Sequence, residues 1–292
     1  GGDHRDFKAV APSFVESGWR VTTLDWPGHG ESPRSEPETA VGFGELLART
    51  LDELGGEHVL LGNSVGGFAA LYAAARRPDR VAGLVLVSPG GFSPQWIGTT
   101  LACRATGSKL LASAAYRNLP RLYLRERNAG VTAAITRARA ASRSPERAEV
   151  YGSVWRSFTD PKHDARILAA DVRCPVLLAW GTRDPILPWQ LDGRRARAAL
   201  PNAQTVTFAG ATVAGYMSLT AKDMMRGYWP PRDPTDAKTI MAAFLQGGAA
   251  GLYGDFLFSQ VNRFGGGVLE TVAGPTLGSV ADGVDTVLKA RD

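Results

Sequence analysis

Cysteine is almost missing from this chain: only Cys103 and Cys174 occur in 292 residues, and neither belongs to a paired motif. A disulfide framework and a zinc cage therefore have no support, no metal or other cofactor is expected, and a reduced, cytoplasmic setting is the default. Histidine is equally scarce, at four residues, and its placement matters below. Long apolar runs are lacking as well. The best candidate, 240–254, contains Gly247 and Gly251 at helix-packing spacing but ends at Asp255, short of the roughly 20 apolar residues that span a bilayer. No charged-then-apolar leader is read at the start of the chain, which begins at Gly1 without methionine, so a trimmed chain or a partial reading frame is expected. What is plentiful is apolar side chain, 44% of the residues. That is ample for a globular core and argues against disorder.

Acidic residues are thin in one region. Between residues 101 and 166 stand Arg104, Lys109, Arg117, Arg121, Arg125, Arg127, Arg137, Arg139, Arg143, Arg147, Arg156, Lys162 and Arg166, against far fewer carboxylates. This reads either as a solvated helical face or as a basic surface for an anionic substrate, carrier or membrane. Aromatic residues are not interleaved in any nucleic-acid motif, so nucleic-acid binding is not expected.

Short runs rich in Val, Leu and Thr at 19–26, 57–63, 81–89, 174–181 and 203–210 read as buried strands. Helical periodicity fills 6–17, 38–54, 67–76 and 187–200 between them. This alternation predicts an α/β fold: a parallel sheet with right-handed crossovers and helices on both faces. A longer helical insertion, 95–168, interrupts the rhythm and is expected to lie over one edge as a cap. The expected division is 1–94 and 169–210 for the two parts of the core, 95–168 for the cap, and 211–292 for an unrelated C-terminal segment.

Ligands of such sheets bind at the carboxyl ends of the strands. Three polar stretches fall there: "DWPGHGES", Ser64, and "TRDP" with Asp184. Gly62-Asn63-Ser64-Val65-Gly66 fits G-x-S-x-G, in which a nucleophile occupies a sharp strand-to-helix turn. Gly62 and Gly66 are expected to remove side chains that collide at the bend, and the Val65 amide to serve as an oxyanion donor at the helix N-terminus. Ser64 has a competing role as a helix cap. Asp184 at the end of a buried strand suits an acid that orients an imidazole, and suits equally an Asp-Pro turn that starts the next helix.

In "GGDHRDF", "DWPGHGES", "GNSVGG", "WGTRDPILP" and "LPNAQTVTFAG", taken in order, residues 1 to about 210 resemble the α/β-hydrolase superfamily. The resemblance implies a serine hydrolase of the esterase, lipase or carbon–carbon-bond-cleaving kind, acting on a small ester or acyl substrate. It implies Ser64 as nucleophile, Asp184 as the acid, and 95–168 as a helical cap.

The same resemblance implies a histidine just after the last strand, where this chain reads "FAGATVAGYMSLT". His4, His29, His58 and His163 all precede Asp184. His58 opens the strand that ends beside Ser64, so roughly 20 Å separates them. His163 precedes the strand at 174–181 and is expected on the opposite rim unless the cap folds it back; His4 and His29 sit in loops near the correct rim. The resemblance further implies a second oxyanion donor from a loop after an early strand and strands flanking 19–26; these are expected to be absent here, which would leave an open sheet edge prone to self-association. Residues 211–292 change character: rich in glycine, without histidine, they resemble a bacteriophage virion segment from "GYMSLTAKDM" to "ETVAGPTLG". The expectations are thus a hydrolase with impaired turnover, a non-catalytic remnant, or a chimeric chain whose C-terminal part is a structural or interaction segment.

Overall fold

Why the apolar runs become a sheet is visible in their pairing. The structure, a computed structural model, describes residues 2–8, 11–124 and 129–208; the expectations for 211–292, the phage-like features included, lie outside the described residues. Four parallel strands, β1 (His58–Asn63), β2 (Val81–Val87), β3 (Val176–Gly181) and β4 (Gln204–Phe208), lie side by side in chain order. The register places Asn63 opposite Val87, Val87 opposite Ala179, and Ala179 opposite Val206. Strand side chains alternate between faces. Leu84, Leu86, Leu178 and Trp180 enter the larger core, while Val85, Leu177, Ala179 and Val206 form a smaller cluster made wholly of strand residues.

Ten helices are described: α1 (Ala11–Glu16), α2 (Ala40–Leu54), α3 (Val65–Arg76), α4 (Ile97–Thr106), α5 (Ala112–Asn118), α6 (Pro120–Tyr123), α7 (Ala129–Ala141), α8 (Pro145–Ser157), α9 (Ala165–Ala169) and α10 (Arg194–Ala199). The Thr39 hydroxyl accepts from the Gly42 amide to start α2, and Gly55, at φ +63°, ends it where a side chain would be strained. The α3 helix is buried along most of its length, from Gly67 through Ala74, between α2 and the sheet. Residues from α2, α3, α9 and α10 all enter the larger core. The expected cover on both faces is thus seen on one only, because no described helix contributes to the smaller cluster.

One expected strand is not formed. Residues 19–26 carry the apolar pattern but pair with nothing in the described sheet, and Trp19, Val21 and Leu24 are more than a third exposed. A strand exists only where a neighbour accepts its amides and carbonyls. The sheet begins instead at β1, whose described partner is β2 alone.

Between β2 and β3 the chain makes helices α4 to α9, and this insertion is fastened to the loop that follows 19–26. Arg147 donates to the Gly30 carbonyl at 2.9 Å, and Val150 lies where a side chain at Gly28 would have to go. Arg137 reaches Asp3 at 3.3 Å and Asp6 at 2.5 Å. The Ser157 hydroxyl accepts from the Ala40 amide at 3.0 Å, joining α8 to the start of α2. No described helix is long and apolar enough to cross a membrane.

Candidate functional site

The turn after β1 departs most clearly from ordinary backbone. Ser64 has φ +51° and ψ −118°, in the left-handed half of conformational space that non-glycine residues avoid. Its amide donates to the Val87 carbonyl at 3.0 Å, continuing the sheet. Its carbonyl accepts from the Phe68 amide at 3.0 Å, opening α3, and from the Gly90 amide at 2.9 Å. The side chain makes no capping bond. The capping role left open by the sequence is therefore not the one Ser64 plays. Val65 is the first residue of α3, where backbone amides lack an intrahelical acceptor.

The glycines divide differently from expectation. A Cβ at Gly62 would meet the Gly67 nitrogen at 2.7 Å and the Gly66 carbonyl more closely still, so that position admits no side chain. At Gly66 nothing lies within 4 Å of the same hypothetical atom. The crowding assigned to Gly66 belongs to Gly67, whose Cβ would stand 2.8 Å from Pro89 Cβ and 3.1 Å from the Gly62 carbonyl oxygen. The correction has a simple cause. Helix α3 runs back over the turn with residue 67, and not residue 66, facing the strand end.

Asp184 follows β3 as Ser64 follows β1, and since both strands run the same way, both residues leave the sheet at one rim. Its Oδ1 accepts from the Ile186 amide at 2.9 Å and the Leu187 amide at 3.0 Å. The turn role is thus real, and it occupies one carboxylate oxygen only. No described residue engages Oδ2.

The turn after β2 lies between these two. Ser88 also has positive φ, +38°, and its amide donates to Ala179 at 2.9 Å, so the neighbouring strand ends share an unusual backbone. Beyond it, the Ser93 hydroxyl donates to Asp192, which is 1% exposed on the π-helical turn Trp189–Gly193. Burial pushes the Asp192 carboxyl above its ordinary range, with the Ser93 bond opposing the shift. Sequence reasoning missed Asp192, because "WQLDGRR" reads as an exposed helix start and only the packing encloses it.

Three of the four histidines have ring nitrogens engaged elsewhere. Nδ1 of His4 lies 2.8 Å from Asp25 Oδ2. His29 is buried against the edge of Phe43, with Nδ1 3.1 Å from the Pro27 carbonyl, and burial drives its pKa down to about 3. His58 meets the Gly55 carbonyl at 2.8 Å, at the far end of β1. His163 is the displaced one. The connection from α8 to α9 folds it back toward the turn after β1, where its ring packs on Phe68 at 4.4 Å and Phe158 at 4.9 Å. A Cβ placed on Gly90 would lie 3.5 Å from His163 Nε2 and 3.5 Å from the Ser64 carbonyl oxygen. The ring thus approaches the backbone beneath the serine, its buried Nε2 has no hydrogen-bond partner among the described residues, and burial lowers its pKa to about 4.

A sequence model of the alpha/beta hydrolase fold matches residues 1–213. The chain is 30% identical over 219 residues to a 2-hydroxy-6-oxononadienedioate/2-hydroxy-6-oxononatrienedioate hydrolase of Cupriavidus pinatubonensis, covering 70% of this chain and 73% of that protein. It is 28% identical over 214 residues to a pimeloyl-[acyl-carrier protein] methyl ester esterase of Neisseria meningitidis, covering 68% and 78%. An esterase from Exiguobacterium antarcticum superposes with a TM-score of 0.63 over 77% of this chain and 88% of its own, at 15% identity, a likeness of fold alone. Motif order, parallel sheet and strand-end turns agree with these matches, and the chain belongs to the α/β-hydrolase family.

Proposed function

We propose that the chain is a serine hydrolase acting on a small ester or acyl substrate, with turnover limited by a missing imidazole. Ser64 is the nucleophile, the Val65 amide the oxyanion donor, and Asp184 the carboxylate set to hold a ring on the same rim. The observation that carries this reading is the Ser64 backbone: a left-handed serine on a strand-to-helix turn, with its hydroxyl unused as a cap. Strain of this kind, on the order of 1–3 kcal/mol, persists where the surroundings impose it, as at a nucleophile elbow. The hydrolase and esterase named among the relatives support the class.

The limit on turnover rests on the sequence, which has no histidine after Asp184. Without a base to take its proton, serine attack falls by several orders of magnitude, since triad members act as a unit. That same absence favours a second reading, a non-catalytic remnant or chimera whose pocket binds without reacting. A fluorophosphonate probe separates the two. Labelling of Ser64 that disappears in Ser64→Ala supports a working nucleophile; no labelling at any pH up to the thiol range leaves the remnant.

A further inference from the structure

The insertion carries a groove that the hydrolytic site does not use. It has a volume of about 420 Å³ and is walled by Leu110, Ser113, Ala114, Arg117, Arg121 and Arg139, with no residue from the turns after β1 and β3. Helix α5 supplies most of its lining, and the Ser113 hydroxyl donates to the carbonyl of Ser142, just after α7, at 2.7 Å. Arg117 comes from α5, Arg121 from α6 one turn further on, and Arg139 from α7 across the seam.

Within the groove these three guanidinium groups stand together without an acid among the described residues, as Arg104 and Arg143 do singly outside it, whereas other arginines of the insertion are paired. Arg137 is held by Asp3 and Asp6, Arg156 by Glu149, and Arg166 by Asp164. Among the described residues, no carboxylate pairs with Arg117, Arg121 or Arg139, and the Nε of Arg139 is buried without a hydrogen-bond partner. Like charges one helical turn apart repel, and a concave wall concentrates their field. A ligand carrying two negative charges on oxygen relieves that repulsion, and the planar fork of arginine matches phosphate oxygens in pairs.

From this we infer that the groove between α5, α6 and α7 is a binding site for a small phosphate-bearing molecule. Its size falls in the range of small-molecule sites, about 300–1,000 Å³. The apolar side chains of Leu110 and Ala114 leave room for a short carbon body beside the phosphate.

The test is equilibrium binding to the full chain at constant ionic strength, with inorganic phosphate, glycerol phosphate and chloride as separate probes. Saturable binding of both phosphates, tighter for glycerol phosphate, with chloride inert, is the expected result. Arg117→Gln/Arg121→Gln is expected to weaken it by about tenfold or more. Arg104→Gln/Arg143→Gln removes the same charge from exposed positions outside the groove and is expected to leave binding within about twofold. All four side chains are exposed, so folding of the variants is checked simply by their circular dichroism. Equal losses in the two double variants, displacement by chloride at matched strength, or no saturation overturns the inference. Binding of an acidic protein without binding of either phosphate overturns it too.

Discussion

Ser64 holds its φ of +51° because four contacts leave it no alternative: its amide on Val87, its carbonyl on Phe68 and Gly90, and the glycine at 62 pressed under the next turn. Over-determination of this kind lets a strained residue persist. The pair of glycines around it separates shape from composition. Gly62→Ala is expected to destabilise the fold by about 2 kcal/mol or more, as the new methyl meets backbone that cannot move aside. Gly66→Ala sits in open space within a helix and is expected to be neutral or to stabilise by up to about 1 kcal/mol. Urea unfolding of the two variants checks this; equal losses would show that the turn does not distinguish them. The G-x-S-x-G letters were legible in the sequence, yet which glycine is crowded was not, because crowding depends on how α3 crosses the strand end.

At the scale of elements, α3 is the piece on which the site is built, since Ser64 immediately precedes it and Val65 opens it while its body fills the core. Leu71 is fully buried in the cluster that joins α2, α3 and the sheet. Its truncation to alanine is expected to cost about 2–5 kcal/mol, the usual range for a core leucine that leaves a cavity. A loss of unfolding free energy below about 1 kcal/mol in denaturant titration would mean that α3 is less firmly seated than its burial implies. The alternation of strand and helix gave away four of the five predicted strands. The fifth, 19–26, has the composition of a strand without the partner, and composition alone says nothing about neighbours. The same limit explains Asp192, whose letters suit an exposed helix start and whose enclosure comes from segments nearly a hundred residues away, at Ser93.

Across the whole molecule, the insertion and the core meet around two neutral, buried histidines. Burial is the leading cause of both shifts, to about 4 at His163 and about 3 at His29. At His163 the Phe158 backbone, Asp160 and Asp164 pull more weakly the other way. A histidine whose folded pKa lies below its unfolded value leaves the unfolded chain binding more protons, so stability falls as pH drops below about 6.5. The loss continues until the folded rings themselves titrate, and amounts at most to about 3 kcal/mol at His163 and about 5 kcal/mol at His29. His163→Phe keeps an aromatic ring between Phe68 and Phe158. It is expected to cost about 1 kcal/mol near neutrality, for the bond to Phe158, and to flatten the acid limb between about pH 6.5 and 4. Unfolding midpoints measured across that interval decide the matter, and an unchanged slope would remove His163 from the account.

The sequence by itself determined the family, the parallel strands after position 57, the serine at a strand-to-helix turn, and the want of a histidine beyond Asp184. These are properties of periodicity, small residues and order along the chain, and local chemistry records them. Only the tertiary structure decided that Ser64 is strained and does not cap its helix, and that Gly67 carries the close approach. It also decided that His163 returns beneath the turn after β1 and that three arginines on three helices share one groove. Each of those depends on which distant segments touch, and contact between residues far apart in sequence is fixed by packing that no short stretch of letters contains.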